Sequence, residues 1–393
     1  MNTYTVQFYD LLSRALGDSS SKRLQGFLDN VMAKKYNSLQ LDGFTFDEMQ
    51  LDFAYEQIQR EVSITPMANY YDLDSPAIPR STEGFKSWTG KIPRMKDVEY
   101  LNEDKIRKQL LLEERIAKVG AERVQNGALN ELFITTDNLI GGHTNSLTYQ
   151  RHQMVSKGEF AITYANNPKG VAGLTFSAHV PSANINTLQG DARWWTNASH
   201  TSTYEGSASN PVNDMLLMVQ NAAERGVANV HFEVNKAYFK QILNHSKVCK
   251  SIAMNLFPTA ASVSETTAAV AVMAEDVKKR TLESIIGCPI KVVDSMVSVE
   301  APVKATKSFT KVNKAAFEPD VLVLVPDGNI GRVLTVEPIT VPGGTYATFY
   351  GGRLLMTVEV DPVRKCQGFH TEMTSLVVPE VPQYMWYIYP NNV

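Results

Sequence analysis

The chain has 393 residues, of which 44% are hydrophobic and 20% are charged, so it has enough apolar material for a core and for more than one domain. Its formal net charge of −3, from 38 basic and 41 acidic residues, argues against a dedicated nucleic-acid-binding surface, because such a surface needs a concentration of basic residues. The three cysteines Cys249, Cys288 and Cys366 are far apart and indicate neither a disulfide framework nor a zinc site.

The N-terminal residues and the lengths of the apolar stretches indicate where in the cell the protein is expected. The N-terminus lacks the basic region and apolar run of a signal peptide, and no stretch approaches 18 consecutive apolar residues. We therefore expect a protein that is made and kept in a cytoplasm, with no membrane span.

Residues 1–62 have the pattern of short helices joined by polar links, at 6–16, 22–35 and 47–62. Apolar residues spaced three and four apart give the second helix one apolar face: Leu24, Phe27, Leu28, Val31 and Met32. So small an amphipathic set cannot bury itself alone. We expect it to pack on the rest of the chain or on a neighbouring copy, as a projecting arm does.

Residues 63–100 differ in composition from the segment before them, with four prolines and several aromatic residues among Thr, Ser and Gly. This composition predicts extended chain with a loop at 82–90. Phe85 and Trp88 on a polar loop favour a surface that meets a partner, because exposed aromatic residues are enriched at interfaces. A hairpin folded back on its own core explains the same pattern equally well.

Two helices and a hairpin are predicted next. Asn102, followed by two acids, opens the first helix, and Asn126-Gly127 ends it. The second helix is amphipathic over 130–157 and spans about 40 Å at about 1.5 Å per residue. Gly141-Gly142 within it predicts a bend or a close contact. Alternating residues with Asn, Pro and Gly between them then predict a β-hairpin over 160–176.

Residues 179–209 are irregular, and we expect at least one of Trp194 and Trp195 to anchor this segment to another layer. A second domain opens at Asn210-Pro211, a capping residue with proline at the first helical position, and its helix runs to Gly226.

Strands and helices then alternate. A strand is predicted at 230–234, followed by helices capped by Asn235 and Ser246, a helix from Ser264 to Gly287 of about 22 residues, and a β segment at 289–299. This interleaving indicates an α/β or α+β domain.

The last third is mostly strand. The apolar run at 321–325, the turn at 326–329 and the segment 332–336 predict a hairpin. Further strands are predicted at 353–360, 374–378 and 381–389.

Motifs that would carry chemistry are incomplete or missing. There is no GxxxxGK[ST] loop, no GxSxG elbow and no dinucleotide-binding fingerprint. His231-Phe232-Glu233 matches the HxE half of a zinc deaminase without the PCxxC half, so we interpret the two residues as a solvated or hydrogen-bonded pair on one strand face. His143 and His152 lie too far apart on the long helix to share a metal.

Two further acids, Asp72 and Asp74, lack the Gly and Glu of a calcium-binding loop and indicate an exposed turn. We therefore predict no catalytic, cofactor-binding or metal-binding residues, no cofactor, and no enzymatic activity. What the sequence does present is an order of parts: arm, aromatic loop, long helix, hairpin, α/β domain and β-rich return.

Several short segments occur in an order that is similar to one protein family. They are Thr89-Gly90-Lys91-Ile92-Pro93-Arg94, Tyr149-Gln150-Arg151, Lys157-Gly158-Glu159-Phe160, Asn210-Pro211, Val325-Pro326-Asp327-Gly328-Asn329-Ile330-Gly331, Asp361-Pro362, Val378-Pro379 and Val381-Pro382. With them the chain resembles a tailed-bacteriophage major capsid protein, closest to the lambda-like major capsid protein E family within the Hong Kong 97 capsid fold. The resemblance covers roughly residues 63–393 and rests on order, since each segment alone is a weak signal.

The resemblance implies an α+β fold of the Hong Kong 97 type with five parts. These are an N-terminal helical arm at 1–62, an extended E-loop at 63–100, a peripheral domain with a spine helix and hairpin at 101–194, an axial α/β domain at 195–340, and return strands of the peripheral domain at 341–393. Residues 1–62 depart from the family pattern, being longer and more helical. Lys86 and Lys91 lie where some relatives form a crosslink, but no partner Asn can be matched, so no such bond is predicted.

The resemblance also implies a function: a structural capsid protein that self-assembles as hexamers and pentamers into an icosahedral head around double-stranded DNA. Its implied partners are copies of itself, then portal, scaffold, and decoration or head-tail connector proteins, with non-specific DNA contact and no membrane. Its implied location is the virion capsid, after assembly in the bacterial host cytoplasm. Two alternatives stay open from the sequence: a soluble two-domain α/β enzyme with an unrecognised site, and an encapsulin-like nanocompartment shell.

Overall fold

The structure is a computed structural model that describes residues 39–60, 85–101, 122–168, 170–195, 206–257, 270, 272–303, 308–340, 346–361 and 366–390. The predicted helices at 6–16 and 22–35 lie outside these residues, as does most of the one opened by Asn102. The Asp72 and Asp74 turn lies outside them too.

The first elements are strands: β1 (Phe44–Phe46), β2 (Ala54–Arg60), β3 (Phe85–Lys91) and β4 (Arg94–Leu101). The predicted helix at 47–62 is therefore wrong, and so is the loop assigned to 82–90 where the structure describes it. Helix propensity is a local preference of tenths of a kcal/mol per residue, whereas pairing β2 with β3 satisfies backbone groups far apart in sequence. A single-sequence pattern does not contain that pairing.

The long helix α1 (Glu122–Lys157) has 36 residues and extends about 54 Å at about 1.5 Å per residue. It confirms the predicted helix but begins earlier and runs through Asn126-Gly127, so the predicted stop there is wrong. One glycine costs only about 1 kcal/mol inside a helix, less than the hydrogen-bonded turns on either side supply. The close contact predicted at Gly141-Gly142 is also not found: a Cβ added at Gly142 would meet Asp97 Oδ2 at an ordinary 3.6 Å.

A glycine ends α1 and turns the chain into a hairpin. Gly158 has φ +69°, and an added Cβ would lie 2.7 Å from Val180 Cγ2, so both conformation and space favour glycine there. Strands β5 (Glu159–Ile162) and β6 (Leu174–Ser177) then pair antiparallel, which confirms the predicted hairpin.

The irregular segment that follows contains 3-10 turns at Ser182–Asn184 and Gly190–Ala192 and the short strand β7 (Ile185–Thr187). Trp194 and Trp195 are both fully buried in one hydrophobic cluster, which confirms their anchoring role. Trp194 Nε1 donates to Asp214 Oδ2 at 2.7 Å.

The next elements are α2 (Pro211–Glu224), β8 (Val230–Asn235), α3 (Lys236–Asn244), α4 (Ser246–Leu256), α5 (Glu275–Ile286) and β9 (Ile290–Val293). The caps of α2 and α3 are as predicted: the Asn210 side chain accepts from Asn213 N, and the Asn235 side chain accepts from Ala237 N. The cap of α4 is instead His245, whose Nδ1 accepts from Lys247 N at 3.3 Å.

The helix predicted from Ser264 to Gly287 is shorter than expected. Its end is confirmed, because Gly287 terminates it with φ +66°. Residues 272–274 are not helical, so α5 begins only at Glu275, where Glu275 and Asp276 face the positive end of the helix dipole.

The remaining strands are β10 (Met296–Val303), β11 (Ser308–Ala315), β12 (Leu322–Pro326), β13 (Gly331–Val336), β14 (Tyr346–Phe349), β15 (Leu354–Asp361), β16 (Cys366–Pro379) and β17 (Trp386–Tyr389). The predicted hairpin of 321–336 is wrong. β12 pairs with β8 and β17, and β13 pairs with β1 and β16, so the two strands belong to different sheets. Each finds a longer-range partner, which turn chemistry alone does not reveal.

The chain forms two compact units, and each is described by itself. The first comprises Met1–Tyr55, Thr89–Thr148 and Val333–Val377. Its six-stranded sheet has the order β1-β13-β16-β15-β14, and β4 also pairs with β16. The middle of α1 packs here: Leu139 and Ile140 are buried, and His143 Nε2 lies 2.9 Å from Thr371 Oγ1 on β16.

The second unit comprises Glu56–Trp88, Tyr149–Arg332 and Val378–Val393. Its five-stranded sheet has the order β7-β17-β12-β8-β9, with β8 parallel to β9 and antiparallel to β12. Alternation along β8 directs Phe232 and Val234 into the cluster formed with α2 to α5. Glu233 lies on the opposite face, where the last turns of α1 meet the sheet.

Candidate functional site

Three pairs of strands in the described chain form two-stranded ribbons that join no larger sheet: the hairpin β5–β6, and the ribbons β2–β3 and β10–β11. The β10–β11 ribbon has eight antiparallel pairs, from Met296↔Ala315 to Val303↔Ser308. Met296 and Val312 on it are 57% and 48% exposed. Because a two-stranded ribbon is only marginally stable alone in water, such ribbons are typical of surfaces that meet other structure.

The base of the β2–β3 ribbon has its own contacts. Trp88 is half-buried and stacks on His179, with ring centroids 4.1 Å apart and planes 8° apart. The Tyr55 ring covers Gly90, where an added Cβ would lie 2.6 Å from the ring. Trp88 therefore packs on its own chain, as the hairpin alternative in the sequence analysis expected, while Ser87 and Thr89 on the same strand are exposed.

Apolar side chains are also exposed on the helices of the second unit. They are Leu216 and Leu217 on α2, Met254 on α4, Phe257 just after it, Val272 three residues before α5, and Val277 in the first turn of α5. A groove of about 160 Å³ beside α2 is bordered by Asp214, Leu217, Asn221 and Trp386. The groove is a shallow feature of this surface and gathers no set of catalytic groups.

A buried charge cluster joins α1 to the sheet of the second unit. Arg151 and Glu233 are both almost fully buried. The Arg151 guanidinium donates two hydrogen bonds to the Glu233 carboxylate, from Nη1 to Oε2 at 2.7 Å and from Nη2 to Oε1 at 2.5 Å. Lys291 Nζ lies 3.1 Å from the same Oε1. Burial raises the pKa of Glu233, but the bonds from His231 and Arg151 outweigh it and hold that pKa at about 2.

His231 extends this cluster toward a turn. Its Nε2 lies 3.5 Å from Glu233 Oε1, and its Nδ1 lies 2.6 Å from Asp327 Oδ1. Burial lowers the pKa of His231, but the two carboxylates raise it, and the net effect is a pKa above the ordinary value. His152 Nδ1 is 3.0 Å from Arg151 Nη1, and burial with the Arg151 charge lowers the pKa of His152 to about 4.

The structure brings His231 and Glu233 together as the hydrogen-bonded pair that we preferred over a metal site. In the part of the chain that is described, no three His, Cys, Asp or Glu residues converge to hold a metal ion. Cys249 and Cys288 are buried thiols that form no disulfide, and burial raises the pKa of Cys288 to about 12. His143 bonds Thr371, separately from the cluster around His152.

Arg151 is the residue that the sequence reasoning missed. It lies 82 positions before Glu233, four residues after Leu147 and three before Met154, so it shares the apolar face of the helix. The HxE pattern on β8 pointed to the carboxylate but not to its partner. An arginine within an apolar stripe near a helix end is the signal that would have suggested a buried partner.

None of the described helices is long and apolar enough to cross a membrane. The described residues thus form an α+β chain with two-stranded ribbons, exposed apolar side chains on its helices and a buried ion pair inside the second unit. Residues 30–336, most of the chain, match the family described as Phage major capsid protein E. The chain belongs to that family, which confirms the resemblance, and its mixture of helices and sheets confirms the predicted α+β class.

Solved structures give low-identity matches. One is a phage-related protein from Bordetella bronchiseptica RB50, with 11% identity over 95% of this chain and 96% of that one, at a TM-score of 0.45. Another is the putative capsid protein of a prophage of E. coli CFT073, with 11% identity, 94% and 98% coverage and a TM-score of 0.45. The mature capsid of bacteriophage PhiM1 matches with 9% identity, 90% and 87% coverage and a TM-score of 0.42. Among curated proteins, none matches the sequence.

Family membership fixes the general role. The chain is a structural major capsid protein that forms the icosahedral head of a phage, and its place is the capsid of the virion. The two alternatives weighed from the sequence, a soluble enzyme and a nanocompartment shell, are not favoured by this match.

Proposed function

We propose that this protein assembles with copies of itself into hexamers and pentamers, in the cytoplasm of a bacterial host, and that these close into a head around double-stranded DNA. The observation that carries the proposal is the family match over residues 30–336. The exposed ribbons and helix faces supply surfaces for many modest contacts. Interfaces of about 800 Å² per partner can each have modest affinity, and a closed symmetric shell multiplies them.

The parts of the chain have distinct roles in this proposal. Residues 1–62 are the arm, 63–100 the E-loop, 101–194 and 341–393 the peripheral domain, and 195–340 the axial domain. The first unit supports the peripheral assignment, since its sheet packs on the middle of α1. The helices of the second unit and strands β8, β9 and β12 of its sheet support the axial assignment. Strands β7 and β17 pair in the same sheet, although they belong to the ranges assigned to the peripheral domain.

Further partners follow from the same role. Portal, scaffold, and decoration or head-tail connector proteins would meet the shell. The packaged DNA would touch it non-specifically, because a net charge of −3 gives no strong attraction for phosphates. We propose no catalytic activity and no cofactor.

The β10–β11 ribbon offers a direct test. Val312 is 48% exposed and stands opposite Val299 in the pairing, whereas its neighbour Asn313 is exposed on the other face. We propose that the Val312 face packs on another copy. Val312→Glu should leave a folded subunit, because the side chain is not in the core, and should strongly reduce the amount of shell formed after expression.

Asn313→Glu is the matched control, since it adds the same charge one residue away on the opposite ribbon face. Circular dichroism checks the fold of both variants, and light scattering with electron microscopy measures assembly. If Val312→Glu formed normal shells, the proposal that the Val312 face packs on another copy would be contradicted. A folded wild-type chain that stays monomeric, alone and with its scaffold, would contradict the proposed assembly itself.

A further inference from the structure

His231 lies between two carboxylates of the second unit. Asp327 Oδ1 is 2.6 Å from Nδ1, and Glu233 Oε1 is 3.5 Å from Nε2. A carboxylate only accepts hydrogen bonds, and a neutral imidazole has one N–H to donate. Only the imidazolium form presents a proton to both carboxylates at once, so the geometry selects the charged ring.

Glu233, His152 and Cys288 each keep one protonation state over the neutral pH range. From α1, Arg151 faces Glu233, and the pKa of His152 is about 4, so that ring is neutral. From β9, Lys291 contacts Glu233, and burial lowers the pKa of Lys291. Glu233 has a pKa of about 2 and stays ionised. The Cys288 thiol beside Asp327 has a pKa of about 12 and stays neutral.

We infer that His231 is a proton-dependent clamp between strand β8 and the turn after β12. Its imidazolium form donates to both Asp327 and Glu233, and the ring that has lost a proton keeps only one of these two hydrogen bonds. Asp327 begins this turn, and its backbone N–H donates to Asn229 O at 3.0 Å. Gly328 follows with φ +93°, so the turn reverses sharply. A neutral ring with Nδ1–H would keep the Asp327 bond but would direct a lone pair at Glu233 Oε1.

The sign of the pH effect follows from linkage. The folded-state pKa of His231 is raised, so its contribution to stability is complete below the unfolded value of about 6.5 and is lost as pH rises through the folded pKa. Between those two pKa values, the ratio of folded to unfolded protein falls by up to about tenfold per pH unit from this group. This inference concerns the folded subunit and stands apart from the proposed assembly.

The test compares melting temperatures of unassembled full-length wild type and His231→Gln from pH 5.5 to pH 9. Gln stays neutral, so the wild type should have its largest advantage near pH 6 and should lose it toward pH 9. His179→Gln is the control: His179 stacks on Trp88 rather than on carboxylates, and burial lowers its pKa, so its effect should be constant above pH 7.

A second measurement is independent of whether His231→Gln folds. In wild type and Asp327→Asn, histidine-selective NMR follows the ring protonation directly. The wild type should show a histidine that titrates above pH 6.5, and Asp327→Asn should move that midpoint to lower pH by removing one carboxylate. A pH-independent melting difference, or an unchanged midpoint in Asp327→Asn, would overturn the clamp.

Discussion

Replacing Arg151 with Met is the substitution whose effect the structure defines best. Methionine has a similar length and no charge, so Arg151→Met removes both hydrogen bonds to Glu233 while filling most of the space. Glu233 is fully buried and cannot recover those bonds from water. The variant therefore leaves a buried carboxylate without its main partner.

The expected loss of unfolding free energy follows from that burial. Breaking a buried pair by removing one partner costs about 3–5 kcal/mol. Lys291 and His231 remain beside Oε1 and offset part of this, so we expect about 3 kcal/mol. In the double variant Arg151→Met with Glu233→Gln, no unpaired charge is buried, so its loss should be smaller than the sum of the two single losses by at least about 1.5 kcal/mol.

Urea unfolding followed by tryptophan fluorescence is the assay. All four tryptophans belong to the second unit, so their fluorescence reports on the unit that contains the pair. Lys157→Met is the control: it breaks the partly exposed Lys157–Glu318 ion pair, 3.1 Å long, and should cost less than about 1 kcal/mol. If Arg151→Met cost no more than Lys157→Met, the buried pair would not hold α1 to the sheet in the way argued here.

Three further predictions test other features. Gly158→Ala should destabilise the second unit by about 1–3 kcal/mol in urea unfolding, because the left-handed φ and the nearby Val180 both disfavour a Cβ; an unchanged midpoint would contradict this. Burial lowers the pKa of His143 to about 4, so the protein should lose about 2 kcal/mol between pH 7 and pH 5 from this residue; His143→Gln should flatten that dependence, and an identical pH profile would refute it. Asn210→Ala should cost about 1 kcal/mol by removing the α2 cap, whereas equal stability would show that the cap contributes nothing.

Local signals in the sequence were sufficient where structure is decided locally. The caps Asn210 and Asn235 predicted the starts of α2 and α3, because each side chain bonds a backbone N–H two or three residues on. The adjacent pair Trp194-Trp195 predicted a buried anchor because two large apolar rings in sequence favour burial, and both rings lie in one hydrophobic cluster. These elements depend on contacts within a few residues or on simple burial.

The errors occur where strand pairing over long distances decides the structure. Residues 54–60 have enough apolar and polar alternation for either class, and their pairing with β3 selects strand. The turn at 326–329 suggested a hairpin, but β12 and β13 each pair with strands from other parts of the chain. A turn motif specifies the turn and not the partners of the flanking strands.

The sequence predicted only part of the buried charge cluster, because most of its members come from separate elements of the fold. His231 and Glu233 share a strand face through the alternation of two, which a sequence shows directly. Their remaining partners, Arg151, Lys291 and Asp327, come from a helix, a parallel strand and a turn that only the fold brings together. No local pattern in a single sequence indicates that these three residues lie next to His231 and Glu233.

Electron microscopy of the full-length protein expressed in bacteria, alone and with its scaffold, tests the central claim most directly. We expect closed icosahedral shells in which five- and six-subunit rings are resolved, with subunits that touch their neighbours through the β2–β3 and β10–β11 ribbons. A folded chain that remains a single subunit under both conditions, with these two ribbons packed only on itself, would contradict the proposed assembly.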